Sequence, residues 1–174
     1  MNVVVVVGNP KIGSRTRRAA DMIAQRLTGT PPASAVELAE LGPALLEWGS
    51  PAVQAAKQVV LGSDLLIVAS PIFKATYTGL LKLFLDHFAA GELANTPAVA
   101  LMLGASPRHA LAGEHCLKPV LSEIGCACPA PALFLLESAW EASLELEQWL
   151  ARASGAYDLP PAGQHLAPGD TLPL

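Results

Sequence analysis

Residues 3–20 read VVVVVGNPKIGSRTRRAA. Five consecutive β-branched residues make a strand that is apolar on both faces, and such a strand belongs inside a sheet covered on both sides. Gly8, Asn9 and Pro10 end it. A short loop with Lys11, Gly13, Ser14, Arg15 and Thr16 follows. From residue 14 the pattern turns helical, with Ala19, Ile23 and Leu27 on one face. In a strand–loop–helix unit the backbone N–H groups at the helix N-terminus point outward and the helix dipole favours an anion there. Ser14 and Thr16 add hydroxyl donors, and Lys11 and Arg15 add charge. Ser14 also suits the N-cap position. Capping alone leaves the flanking Lys11 and Arg15 unexplained, so the loop reads as a phosphate site. Its spacing is neither that of a Walker A loop nor that of G-x-G-x-x-G.

The alternation that starts here continues along the chain. Apolar runs predict strands over 35–38, 64–69, 97–103 and 130–136. Helical periodicity predicts helices over 14–27, 51–61, 76–88, 109–124 and 139–154. Residues 41–50 carry no assignable period. Strands alternating with helices imply an α/β fold with a parallel sheet between two helical layers. Five strands match the flavodoxin-like, doubly wound, three-layer arrangement with strand order 2-1-3-4-5. Such sheets bind ligands beyond the carboxyl ends of their strands, at the switch point between strands 1 and 3. The loops after residues 7, 69 and 103 should therefore converge. Residues 1–157 form the one domain expected for this length. Residues 158–174, rich in Pro and Gly, read as an irregular tail, either loose or lying along a neighbouring subunit.

With 52% hydrophobic and 15% charged residues, the chain is too apolar to be disordered, and its sparse charge makes self-association plausible. A net charge of -4 argues against nucleic acid and acidic membranes as partners. The apolar N-terminal run is too short for a signal peptide, and no stretch suffices to span a bilayer, so a cytoplasmic location is expected. Cys116, Cys126 and Cys128 suggest neither a disulfide framework nor a metal site.

The loop after strand 3, SPIFKATYTG, is stiffened by Pro71 and offers Phe73 and Tyr77 as planar surfaces and Lys74 as a charge. A flat heterocycle fits against it, with packing of the two aromatics into the core as the alternative. The loop after strand 4, LGASPRHALAG, has Gly104 and Ala105, which leave room for a ring, and Arg108 and His109 at its rim. An interior Pro119 should bend or bulge the helix over 109–124. The helix over 78–88 is apolar around most of its circumference, which predicts a dimer through it, or a dimer of dimers.

GNPKIGSRT, SPIFKATYTGLLKLFLD and HCLKPVLSEIG together resemble the signature stretches of the NADPH-dependent FMN reductase family, over about residues 1–137. The likeness is strongest to the branch that supplies reduced flavin to sulfonate monooxygenases. It implies FMN as flavin and NADPH or NADH as reductant. It implies that Ser14, Arg15 and Thr16 hold the FMN phosphate, with Lys11 where Arg is frequent and Asn9 where Ser is usual. Pro71, Ile72, Phe73 and Lys74 would line the isoalloxazine, Phe73 replacing a frequent Tyr. Gly104, Ala105 and Ser106 would border the ring. In the resembling reductases a residue inserted at the place of His115 makes a π-helical turn near the flavin, so His115 joins the candidates, against the alternative of a solvated residue on a Pro-kinked helix. In that case hydride would pass from nicotinamide to the flavin without a protein acid or base, so no catalytic residue is assigned; Lys74 is the nearest candidate, as a cation at the flavin edge. Reduced FMN would pass to a partner monooxygenase. Resident FMN that reduces quinones, azo dyes or metal ions, and an electron carrier without enzyme activity, stay open as alternatives.

Overall fold

The computed structural model describes residues 1–157, so the expectation of an irregular tail over 158–174 lies outside the described residues. Strands β1 (Val3–Val7), β2 (Ser34–Glu37), β3 (Leu65–Pro71), β4 (Ala98–Gly104) and β5 (Leu133–Leu136) form one parallel sheet in the order β2-β1-β3-β4-β5. This is the expected flavodoxin-like topology. All residues of β1, β3 and β4 are buried, as their continuous apolar runs require.

Side chains alternate across the pleat and split the core in two. Val4, Val6, Leu66, Val68, Ala100 and Met102 face a layer built by α3 (Pro51–Leu61), α4 (Gly79–Leu85) and α5 (Lys118–Glu123). Val3, Val5, Leu65, Ile67, Val99 and Leu101 face α1 (Arg15–Thr28) and α6 (Leu144–Ala156). The register sets Val7 beside Glu37 and Ala69, Pro71 beside Leu103, and Gly104 beside Leu136. The carboxyl ends of all five strands thus share one rim.

Several boundaries differ from expectation, each for a local reason. Residues 41–50, unassigned from sequence, contain a 3-10 segment over Gly42–Leu46, after a single helical turn over Leu38–Leu41. Strand β5 starts later than residue 130 because Pro129 and Pro131 have no N–H for the ladder. Helix α4 starts at Gly79, not 76, because Thr78 caps it, its Oγ1 accepting from the Leu81 N–H at 3.1 Å. Ser143 caps α6 in the same way, so that helix starts five residues after 139.

The expected continuous helix over 109–124 is broken into a 3-10 turn (Pro107–His109), a π-helical turn (Gly113–Leu117) and α5. Pro119 has no N–H to donate to the His115 carbonyl, and the Lys118 N–H reaches back to Gly113 O instead. The turn before the proline widens by one residue, which is the bulge that the sequence called for.

The apolar 78–88 segment buries Leu81, Phe84, Leu85 and Phe88 against the chain's own core. Leu83 stays 37% exposed and Leu80 half-buried.

Candidate active site

The loop after β1 is organised by its own polar side chains. Asn9 spans it: its Nδ2 donates to Thr16 Oγ1 at 2.9 Å, and its Oδ1 accepts from the Lys11 N–H at 2.9 Å. An amide can hold both ends of the loop in a way that the shorter serine hydroxyl cannot. Gly13 takes φ +63°, a left-handed conformation that a side chain would strain. Its N–H donates to Glu37 Oε2 at 2.9 Å. Ser14 Oγ accepts from the Arg17 N–H at 3.3 Å, so this residue is both the N-cap of α1 and part of the site wall.

The arginines divide into two roles. Arg17 is committed elsewhere: its Nε donates to Asp21 at 2.9 Å and its Nη1 to Glu37 Oε1 at 3.1 Å. Arg15 and Arg18 turn to the site. Arg15 Nη2 lies 3.0 Å from Glu137 Oε2. The Arg18 guanidinium lies 5.7 Å from the ring centre of Trp140.

A second loop closes over the sheet end. Thr78 ties it to the first: its Oγ1 donates to Gly8 O at 2.6 Å, while its N–H donates to Ser70 Oγ at 3.1 Å. Phe73 and Thr76 exchange backbone bonds at 2.9 and 3.3 Å, forming a two-residue hairpin turn at Lys74 and Ala75. Both central residues have positive φ, 53° and 68°. This is the primed turn geometry that normally takes Asn-Gly. The turn exposes the Phe73 ring. Tyr77 goes the other way and packs on the core, where burial raises its phenol above the ordinary value. Of the two aromatics, one faces the site and one supports it.

These loops surround a cavity of about 420 Å³ lined by Asn9, Lys11, Ser14, Arg15 and Thr16 on one side, Pro71 and Phe73 on another, and Leu103 and Glu137 at the rim. The structure therefore gathers seven of the sequence candidates in one place. Ile72 is fixed beside them, its N–H donating to Leu103 O at 2.7 Å, and Lys74 stands exposed at the hairpin tip. Ala105 and Ser106 follow the end of β4 without lining the cavity. A Cβ on Gly104 would come within 2.8 Å of the Phe134 ring and 3.0 Å of Ile72 Cδ1, so its missing side chain serves packing at the end of β4. His115 lies exposed on the π turn and is not among the lining residues.

Two carboxylates escaped the sequence reading. Glu37 is the last residue of β2 and Glu137 follows directly on β5, both at the carboxyl-end rim of the sheet. A charge in that position was the available signal.

The donor set fits a phosphate monoester: a helix N-terminus, two hydroxyls, a lysine and an arginine converge on one side of the cavity. The wall from Pro71 to Phe73 is the planar, largely apolar surface that a ring needs. Fold and site together define a flavodoxin-fold protein of the mononucleotide-binding class. The chain matches the profile of the NADPH-dependent FMN reductases over residues 1–141. It is 35% identical over 129 residues to the NADH-dependent FMN reductase SfnF of Pseudomonas fluorescens, spanning 70% of this chain and 69% of that one. It is 32% identical over 132 residues to the FMN reductase (NADPH) of Escherichia coli, spanning 71% and 67% respectively. The apo form of the NADH:FMN oxidoreductase EMOB aligns with TM-score 0.79 and 30% identity over 94% of each chain. The chain belongs to the NADPH-dependent FMN reductase family. It is an NAD(P)H-dependent oxidoreductase that reduces FMN.

Proposed function

We propose that FMN is an exchanging substrate of this enzyme, reduced on it and released to a flavin-dependent monooxygenase. The openness of the cavity carries this reading. Arg15 and Phe73, one on the phosphate side and one on the ring side, keep 53% and 51% of their surface in solvent. Sites that retain a small ligand bury most of its surface.

In this reading Ser14, Thr16, Lys11 and Arg15 bind the phosphate and Asn9 holds their loop in shape. Pro71, Ile72, Phe73 and Lys74 position the ring, with Gly104, Ala105 and Ser106 along its border. Bound FMN supplies the hydride acceptor, at N5 of its ring system. The chain supplies orientation and charge, and Lys74 is the cation at the ring edge. Arg18 and Arg108 remain for a nicotinamide dinucleotide, whereas the carboxylates of Asp21 and Glu37 occupy Arg17. Relatives named for NADH and for NADPH support either coenzyme.

The assembly we propose is a dimer or tetramer through the face of α4 and α5, where a groove of about 370 Å³ runs between Leu85, Phe88, Pro119 and Val120. His115, on the π turn before α5, would then meet the flavin of its own or a neighbouring subunit and loosen its binding. Among the described residues no helix is long and apolar enough to cross a membrane. A cytoplasmic location is part of the proposal.

The test is oxidation of NADPH and of NADH at several concentrations of free FMN. Turnover that saturates in FMN is the expected result. FMN that binds but turns over only after a quinone or dye is added would instead make it a resident cofactor. Absence of oxidation under both conditions would leave an electron carrier.

A further inference from the structure

Among the described residues that line the phosphate-side cavity, Glu137 is the single carboxylate, beside Lys11, Arg15 and Arg18. Its side chain faces the Arg15 guanidinium at 3.0 Å, and its own carbonyl accepts from Arg15 Nη1 at 3.4 Å. Its backbone is pinned at the end of β5, the N–H donating to Gly104 O at 3.0 Å. Glu137 therefore holds a negative charge against the cation best placed for a phosphate. The pair adds little to the fold, because Arg15 is exposed, at 53%, and Glu137 is only partly buried, at 30%. Its position in the ligand cavity calls for another explanation.

We infer that Glu137 is an internal competitor for the flavin phosphate, a specificity residue that keeps FMN affinity low enough for exchange. This rests on the reading of the cavity as the FMN phosphate site. An incoming phosphate shares Arg15 with Glu137 or displaces it, and in both cases two anions meet in one cavity. The penalty falls on the phosphate and spares the ring. Glu137 thus narrows the advantage of FMN over riboflavin and speeds release of the phosphorylated flavin.

The experiment is titration of the flavin-free protein with FMN and with riboflavin, followed by flavin fluorescence. Glu137→Gln keeps the size and a hydrogen bond to Arg15 but removes the charge. It should bind FMN about tenfold more tightly, with riboflavin affinity changed less than about twofold. In an Arg15→Ala background the same substitution should yield a smaller gain, since the cation under competition is gone. Unchanged or weaker FMN binding by Glu137→Gln overturns the inference, as does an equal gain for riboflavin. If the wild-type protein binds riboflavin as tightly as FMN and Arg15→Ala changes neither, the phosphate reading of the cavity itself fails, which is a distinguishable result.

Discussion

Lys74 and Ala75 both occupy the left-handed region, at φ 53° and 68°, in a turn that glycine or asparagine would adopt with less strain. For Ala75 the strain amounts to about 1–2 kcal/mol. Substituting Ala75→Gly removes it at a backbone-entropy cost of roughly 0.4–1 kcal/mol. The expected outcome is a gain of about 0.5–1 kcal/mol in a urea unfolding series, and a lower midpoint in place of a higher one would refute the assignment of strain. Lys11 has no ion pair among the described residues, which leaves its charge available to the ligand. Lys11→Ala should raise the KM for FMN by about five- to tenfold and leave kcat nearly unchanged, since it removes binding common to ground and transition states. Steady-state kinetics in FMN tests this. At this scale the loop from Asn9 to Thr16 was legible because donors and cations cluster within eight residues. Glu37 and Glu137 were not, because only the pairing of β2 with β1 and of β5 with β4 brings them to the same rim.

The π turn over Gly113–Leu117 is the element whose shape departs furthest from a regular helix. It packs tightly on the segment before β5: a Cβ on Gly113 would come within 2.6 Å of Ala132 Cβ. Gly113→Ala should lower stability by about 1–3 kcal/mol through overpacking, which thermal or urea unfolding would register. His115 projects from the same turn and is exposed, so His115→Ala should leave stability nearly unaltered. If His115 meets the flavin as proposed, that variant should alter flavin affinity and the rate of flavin transfer. Equality with the wild-type protein in both would remove the idea. Pro119 announced a bulge in the sequence; the close packing of Gly113 on Ala132 joins residues nineteen apart and had no such local signal.

At the scale of the whole molecule, two carboxylates hold separate elements together. Glu147 on α6 receives both terminal nitrogens of Arg26 on α1 at 2.7 Å, and that hydrogen bonding keeps its carboxyl below the ordinary range. Glu92 accepts from the Ala89 N–H at 2.8 Å and from the buried Lys57 at 3.0 Å, and its carboxyl is lowered first by that backbone bond. A carboxyl with a lower pKa folded than unfolded contributes stability that is fully present above the unfolded value, about 4.3, and is lost as pH falls through the folded value. Unfolding midpoints should therefore fall as pH drops below about 5, and a Glu92→Gln, Glu147→Gln double variant should show a shallower fall. Cys126 gives a check on burial: burial, aided by Cys128, pushes its thiol up to about 12. It should resist a thiol reagent at neutral pH until the protein is unfolded.

Read alone, the sequence determined the parallel sheet and its order, since buried parallel strands need continuous apolar runs and helical crossovers leave a 3.6-residue period. It also marked the loop from Asn9 to Thr16 as a candidate phosphate site, because all its donors are neighbours in the chain. Tertiary structure alone decided which of Phe73 and Tyr77 faces the site, that Arg17 is committed to Glu37 while Arg15 is not, and that Glu137 shares the cavity with Arg15. Each of these depends on a contact between groups far apart in the chain or on the direction of a single turn, and such contacts leave no periodic trace in sequence.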